Sequence, residues 1–228
     1  MRSVSTILII TAAILIAVSG CKKSSDLPSE DMGYSYFPYE PGDYLIYDVD
    51  STYYDDFYDT VFNLKFKIKE YYESYFYDSQ GRLSIRIERW YKWNDTTDWF
   101  LRDVWYSTLT PSLADRTEEN VRLTKLVFPV RNHTEWDGNA FNIYDREYYE
   151  YEDPDESMSI GTFTFDSTVI VAHAPTPNLV ESVNKTEIYA RNVGLVYKYF
   201  LDISKDIFTG DTLNGTQYTW TLIEYGEE

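Results

Sequence analysis

Carboxyl groups are the side chains most able to do chemistry in this sequence, which has 38 Asp and Glu residues against 20 Lys and Arg. Two carboxyl groups about 5 to 9 Å apart, one with a raised pKa, can hydrolyse a glycosidic bond. The densest group, Asp50, Asp55, Asp56 and Asp59, lacks the Asp-x-Asp-x-Asp-Gly spacing of a calcium loop. We interpret this group and the acidic run 145–156 as solvent-exposed loops, and we predict no catalytic or metal-binding residues.

Motifs and net charge argue against several other classes of function. His133 and His173 lie far apart and outside any His-Glu-x-x-His motif, and the sequence has no Gly-x-Ser-x-Gly motif and no glycine-rich phosphate loop. We therefore predict no cofactor. The net charge of −18 repels the phosphates of nucleic acids, so we expect no nucleic-acid binding.

Aromatic side chains are also abundant, with 23 Tyr, 12 Phe and 6 Trp. Tyrosine suits half-exposed sheets, because its ring packs while its hydroxyl stays in water. Trp90, Trp93 and Trp99 lie in or beside the polar segment 92–98, where their rings could form a platform for sugars. Trp105 alternates with its neighbours as a core residue would. A binding surface at the first three tryptophans is one prediction.

Cys21 is the only cysteine, and it follows an apolar segment near the amino terminus. Residues 7–18 are apolar apart from Thr11, which is too short for a membrane-spanning helix of about 20 residues. A preceding Arg2 and the small residues before Cys21 complete the layout of an export signal. The Val-Ser-Gly-Cys segment 18–21 resembles the lipobox of bacterial lipoproteins, in which the signal is removed before the cysteine and the cysteine is acylated.

This resemblance implies an anchor of two or three acyl chains at Cys21, palmitate among them, and a location in the cell envelope. Each buried methylene contributes about 0.8 kcal/mol, so such an anchor holds firmly. Lys22 stands where enterobacterial lipoproteins carry Asp for inner-membrane retention, which favours the outer membrane by analogy. We predict a signal peptide (1–20), an acylated cysteine with a flexible tether (21–33) and one β-rich domain (34–228).

The predicted domain has the pattern of an antiparallel sheet. Apolar and polar residues alternate in 65–69 and 82–89, which places Leu83, Ile85 and Ile87 on a packed face. A turn at 78–81 predicts a long hairpin over 61–92. Other predicted elements are strands over 43–51, 98–108, 122–130, 144–151, 161–172, 185–191, 195–203 and 217–225. Residues 111–120 are predicted to form a short helix, with a short turn as the alternative. We predict a mainly β single domain with an antiparallel curved sheet, a sandwich or partly open barrel of roughly 9–10 strands and little helix.

Five segments of this domain carry a family resemblance: Phe37–Tyr44, Tyr47–Ser51, Lys125–Pro129, Trp136–Asn142 and Tyr189–Val196. Together they resemble a group of envelope lipoproteins of Bacteroidota, which implies a lipid-anchored envelope protein and no particular activity. The last segment is also similar to the ending of envelope proteins with a curved antiparallel sheet of the lipoprotein-carrier type.

A short pattern, Asp followed by Ser or Thr and then Thr or an aliphatic residue, occurs more often than composition gives. It resembles the O-glycosylation sequon of Bacteroidota and predicts candidate glycans on Ser51, Thr60, Thr96, Ser167 and Thr212. The same pairs favour turns and strand ends, so both interpretations stay open.

The sequence as a whole favours a non-enzymatic, lipid-anchored envelope lipoprotein. It would bind a glycan, an apolar ligand or an envelope partner on an aromatic-rich sheet face. The alternative is a polysaccharide hydrolase that uses a pair of carboxylates. The sequence predicts no oligomeric state.

Overall fold

The computed structural model describes residues 30–174 and 179–228. The predicted signal peptide, the acylation site Cys21 and most of the tether lie outside the described residues. Met32–Glu228 form one compact unit, which contains the whole sheet. Within the described ranges, no helix is long and apolar enough to cross a membrane.

In the part of the chain that the structure describes, twelve strands form one antiparallel sheet. The strands are β1 (Asp43–Asp55), β2 (Thr60–Tyr77), β3 (Leu83–Lys92), β4 (Phe100–Leu109), β5 (Leu113–Glu118), β6 (Val121–Val127), β7 (Glu135–Asp137), β8 (Tyr148–Ile160), β9 (Phe163–His173), β10 (Glu181–Ala190), β11 (Gly194–Lys205) and β12 (Thr212–Glu227). A 3₁₀ turn, Tyr34–Tyr36, precedes them. Their order across the sheet is β6-β5-β4-β3-β2-β1-β12-β11-β10-β9-β8-β7.

The two edge strands of this order, β6 and β7, meet in space. The backbone N–H of Thr124 on β6 donates to the carbonyl of Gly138, at 2.9 Å. The indole N–H of Trp136 on β7 donates to the carbonyl of Thr124, at 3.1 Å. The sheet therefore nearly closes into a barrel, and the predicted mainly β, antiparallel fold is confirmed.

The predicted hairpin over 61–92 is formed by β2 and β3. Its turn contains Gly81 at a φ of 73°, a left-handed conformation that glycine adopts without strain. Ile85 and Ile87 are fully buried, as the alternation predicts. Leu83 was wrongly assigned to the packed face, since it is 43% exposed. It pairs with the exposed Tyr77 at the tip of the hairpin, where little of the barrel remains to cover it.

The predicted helix over 111–120 is wrong, because these residues contain strand β5. Pro111 lies in a tight turn, in which the N–H of Thr110 donates to the carbonyl of Leu113 at 2.9 Å. β5 then pairs with β4 on one side and β6 on the other. Backbone hydrogen bonds to two neighbours and burial of Ala114 outweigh the weak local preference for helix.

The acidic run 145–156 is also not a loop throughout, because β8 covers most of it. Its pairing with β9 is irregular between Glu152 and Glu156, where Asp153 and Asp155 have φ angles of 48° and 66°. This bulge accommodates Pro154, which has no N–H for the ladder. β5 and the three-residue β7 are the strands that the sequence did not predict.

The barrel interior is packed with apolar and tyrosine side chains, and the segment before β1 covers one end of it. Tyr36 and Phe37 of that segment are buried in the core. The Tyr36 hydroxyl donates to the Asp155 carboxylate at 2.8 Å, and the N–H of Asn192 donates to the Ser35 carbonyl at 2.7 Å. Other large, fully buried side chains of the core include Tyr47, Tyr72, Tyr151, Ile68, Ile85, Ile87, Leu126 and Leu222.

Candidate functional site

Lysines line the outer face of the sheet where β2 and β3 run side by side. The alternation of β2 turns Ile68 and Glu70 inward, and so presents Lys67 and Lys69 on the outer face. Lys92 of β3 lies opposite Lys67 in the register. Directly opposed residues have Cβ atoms about 5 Å apart, so two positive charges are held close together here.

Two open depressions lie on this outer face, and Lys67 and Lys92 border both of them. The first has a volume of about 440 Å³ and is also bordered by Trp93. The second has a volume of about 360 Å³ and is also bordered by Trp99. We call the two depressions together the lysine trough. Its other lining residues include Tyr44, Asp48, Asp50, Lys65, Lys69, Asp95, Glu224 and Glu228.

Most lysines of the trough already have an acidic partner. Lys65 pairs with Asp50 at 2.7 Å, and Lys67 pairs with Asp95 at 3.1 Å. The hydrogen bond and the charge of Lys67 lower the pKa of the Asp95 carboxyl. Among the described residues, Lys92 has no carboxylate within ion-pair distance.

The Lys92 ammonium instead lies near an aromatic ring. Its Nζ is 5.9 Å from the centre of the Trp99 ring. An acidic ligand can therefore reach this ammonium without breaking an ion pair. Lys92 is the cation of the trough that is most available to a ligand.

The predicted tryptophan surface is divided by the fold. Trp99 and Trp90 lie on the outer face, and Trp90 is opposite Lys69 but borders neither depression. Trp93 borders the first depression where β3 ends, and its ring packs 5.4 Å from that of Phe66. Trp105 is buried, as the alternation predicts. Phe66 alternates inward with Ile68, so the Trp93 ring packs toward the inner face, and Trp99 is the predicted tryptophan whose ring lies beside a lysine of the trough. The lysines were not predicted from the sequence.

A second group of charged residues lies inside the barrel. Glu70 and Arg89 are opposite each other on the inner face of β2 and β3. The Glu70 carboxylate accepts a hydrogen bond from Arg116 at 3.0 Å, and the Nε of Arg89 lies 3.4 Å from it. The guanidinium of Arg89 also stacks on Trp105, 3.4 Å from the ring centre, and pairs with Asp103 at 2.8 Å.

Glu187 is the acidic centre on the opposite wall of the barrel. Its carboxylate accepts hydrogen bonds from Lys125 and, at 2.6 Å, from the Tyr189 hydroxyl, and it lies 3.4 Å from Lys198. Burial raises the pKa of Glu187, but these lysine charges and hydrogen bonds outweigh it and bring the pKa well below its usual range. We call Glu70, Arg89, Arg116, Lys125, Glu187 and Lys198 the buried charged cluster.

The buried charged cluster was not predicted from the sequence, although one signal for it exists. Glu70 follows Ile68 and precedes Tyr72 at inward spacing, and Arg89 continues the inward series of Ile85 and Ile87. A charge at an inward position of an otherwise regular strand predicts an internal ion pair. The partner on β5 could not be identified from local spacing.

No family model matches the chain, and no curated protein matches it. Two solved structures are similar to it. One is a protein of Bacteroides fragilis described as exported and as having a YmcC-like fold, with a TM-score of 0.45, 11% identity, and coverage of 84% of this chain and 98% of that chain. The other is a protein of Parabacteroides distasonis described as a lipoprotein, with a TM-score of 0.38, 13% identity, and coverage of 84% and 98%. Both likenesses are distant, and both organisms are Bacteroidota.

Among the residues that the structure describes, the carboxyl groups whose pKa is raised lie away from the trough. Burial and the neighbouring Glu227 raise the pKa of Asp43, and burial raises that of Asp103 against the effect of Arg89. Neither residue borders a depression of the trough. Within the described ranges, no three His, Cys, Asp or Glu side chains lie close enough to hold a metal ion.

The candidate glycosylation residues differ in their surroundings. Thr96 is exposed in the turn that carries Asp95, beside the trough. Ser51, Thr60 and Thr212 are half-buried. The Ser167 hydroxyl donates to Asp155 at 2.7 Å and lies 2.9 Å from the Tyr36 hydroxyl, so it is engaged where the first segment covers the barrel. Thr96 is therefore the most exposed residue of the five, and its hydroxyl donates a hydrogen bond to the Asn94 side chain at 2.6 Å.

Proposed function

We propose that this protein is a lipid-anchored outer-membrane lipoprotein that binds a glycan with acidic groups in the lysine trough, without chemical turnover. The lipobox resemblance of residues 18–21 supports acylation of Cys21, with palmitate among the acyl chains. One observation carries the binding function. Lys67 and Lys92 border both depressions, with Trp93 at one and Trp99 at the other.

The chemistry of the trough suits an acidic sugar chain. An ammonium group attracts carboxylate or sulfate groups, and an indole ring offers a flat apolar surface to the face of a sugar. The two adjoining volumes, about 440 and 360 Å³, each fall in the range of small-ligand sites. The trough is lined by four lysines and by five carboxylates, Asp48, Asp50, Asp95, Glu224 and Glu228. An acidic group of the ligand would therefore bind at Lys92, the lysine of the trough that has no carboxylate within ion-pair distance among the described residues.

Two other ligand classes fit the trough less well. An apolar ligand would remove water from the Lys92 ammonium, which has no carboxylate partner among the described residues, and from the Lys67–Asp95 ion pair, at a cost of several kcal/mol. Hydrolysis of a glycosidic bond needs a carboxyl group with a raised pKa beside the bond, and those of Asp43 and Asp103 lie elsewhere.

The test is a calorimetric titration of the full-length acylated protein in detergent with oligogalacturonate and with a neutral cello-oligosaccharide of equal length. We expect the acidic chain to bind and the neutral chain to bind much more weakly. Lys92→Gln should weaken binding about tenfold, or about 1.4 kcal/mol, because it removes a charged hydrogen-bond donor.

Lys205→Gln is the matched control, because Lys205 lies at the end of β11 and does not border the trough. It makes the same change of net charge and should leave the affinity unchanged. Equal affinities for the acidic and neutral chains would overturn the proposal. Release of reducing sugar ends during the titration would replace it with the hydrolase function.

The anchor is tested separately. Because acylation needs the Cys21 sulfur, Cys21→Ser should abolish incorporation of an alkyne-labelled palmitate and leave the protein unprocessed or in the soluble fraction. Wild-type protein found wholly in the soluble fraction would exclude the lipid anchor.

A further inference from the structure

The second depression of the trough contains a carboxylate that belongs to the protein itself. Oε1 of Glu228 lies 2.7 Å from the Nζ of Lys69. The Lys69 side chain is 17% exposed and that of Glu228 is 55% exposed, so the carboxylate covers the ammonium from the solvent side. The same Nζ lies 4.7 Å from the centre of the Tyr44 ring and 5.6 Å from that of Tyr71. The Lys69 ammonium thus lies against two aromatic rings, and the Glu228 carboxylate contacts it from the solvent side.

The backbone of Glu228 is fixed independently of its side chain. Its N–H donates to the carbonyl of Gly42 at 2.9 Å. Glu224, which also borders the depression, accepts a hydrogen bond from the Tyr44 hydroxyl at 2.9 Å. Carboxylates of the protein therefore engage the ammonium of Lys69 and the hydroxyl of Tyr44.

Glu228 is the exposed partner of this ion pair, so its carboxylate is easy to exchange. Exposed ion pairs contribute little to stability, since water replaces either partner at small cost. The Glu228 side chain can leave Lys69 while its backbone hydrogen bond stays intact. A ligand carboxylate that takes the same position keeps the charge balance of Lys69.

We propose that Lys69 is a carboxylate subsite of the trough, which Glu228 occupies in the free protein and an acidic group of the glycan occupies in the complex. This inference rests on the proposed function and adds a ligand class to it. Lys69 and Lys92 are diagonal neighbours across β2 and β3, with Cβ atoms about 7 to 8 Å apart. One acidic group would contact each lysine, so the ligand is a glycan with repeated acidic groups.

The test is the affinity of the full-length protein for oligogalacturonate at low salt, with Glu228→Gln as the variant. This change keeps the shape of the side chain and removes its charge. We expect affinity to rise about fivefold, which is the size of one exposed ion pair. A chain with a single galacturonate at one end should show no such gain, because its acid is bound by Lys92.

Two further variants separate the subsite from a general effect of charge. Glu227→Gln makes the same change of net charge one residue earlier, at a position that pairs with Asp43 and borders neither depression. It should leave the affinity unchanged. In a Lys69→Gln background, Glu228→Gln should give no gain. Thermal unfolding should be the same for Glu228→Gln and Glu227→Gln as for the wild type, because both glutamate side chains are exposed.

The outcomes distinguish the two proposals. If wild-type protein binds no acidic glycan, both the proposed function and the subsite are overturned. If it binds, but Glu228→Gln gives no gain or Glu227→Gln gives an equal one, the subsite alone is overturned. A gain that persists without the Lys69 ammonium would also exclude this lysine as the partner.

Discussion

The buried charged cluster and the lysine trough lie on opposite faces of the same two strands. On the inner face of β2 and β3, Glu70 and Arg89 face each other, and each cation of the cluster has a carboxylate within 4 Å. On the outer face, Lys67 faces Lys92, a pair of like charges. An unpaired charge costs several kcal/mol inside a protein and little at its surface. The charges of the cluster therefore serve the fold, whereas Lys92 of the trough has no carboxylate partner among the described residues and carries the proposed binding.

Glu70→Ala should give the largest effect, because it leaves Arg89 and Arg116 buried without this carboxylate. We expect the free energy of unfolding to fall by about 3 to 5 kcal/mol in urea denaturation. Lys65→Ala, on the outer face of the same strand, breaks an exposed ion pair and should leave the free energy of unfolding nearly unchanged. Similar losses for the two variants would contradict the distinction between the faces.

Apolar positions of β3 extend the same comparison. Ile85→Ala and Ile87→Ala should each lower the free energy of unfolding by about 2 to 5 kcal/mol, because both side chains are fully buried. Arg86 lies between them on the outer face and pairs with Glu88 at 2.6 Å. Arg86→Ala should change stability by no more than about 0.5 kcal/mol. Equal losses at Arg86 and Ile85 would show that the strand is turned the other way.

The inner charges also predict how stability depends on pH. The folded pKa of Glu187 lies below its unfolded value, so its contribution is complete above that unfolded value and is lost as pH falls toward the folded pKa. Unfolding free energies measured downward from about pH 5 should therefore decrease. Glu187→Gln should reduce this dependence, although it destabilises the protein at neutral pH. An unchanged slope in the variant would assign the acid sensitivity to other carboxyl groups.

Ten of the twelve strands could be predicted because each of them shows its pattern locally, whereas β5 and the three-residue β7 do not. Ile85 and Ile87 are found from the alternation of β3 alone. The ion pairs could not be predicted in this way, because their partners are distant in sequence. Arg116 reaches Glu70 from a strand 46 residues away, and Glu228 reaches Lys69 across 159 residues. Local spacing could show that Glu70 faces inward and Lys69 outward, but only the register of the closed sheet brings their partners to them.

Trp99→Ala should give the smallest effect. It should change glycan binding by the trough and leave the stability of the fold unchanged. The indole ring lies beside Lys92 and borders the second depression, so its loss should weaken oligogalacturonate binding by about 1 kcal/mol, or about fivefold. Urea denaturation should be unchanged within about 0.5 kcal/mol, because the ring is not part of the core. Trp90→Ala is the control, since Trp90 lies on the same face outside both depressions. If both variants weaken binding equally, the glycan contacts Trp90 and Trp99 alike and is not confined to the trough. Lys92 would then not determine where the glycan binds.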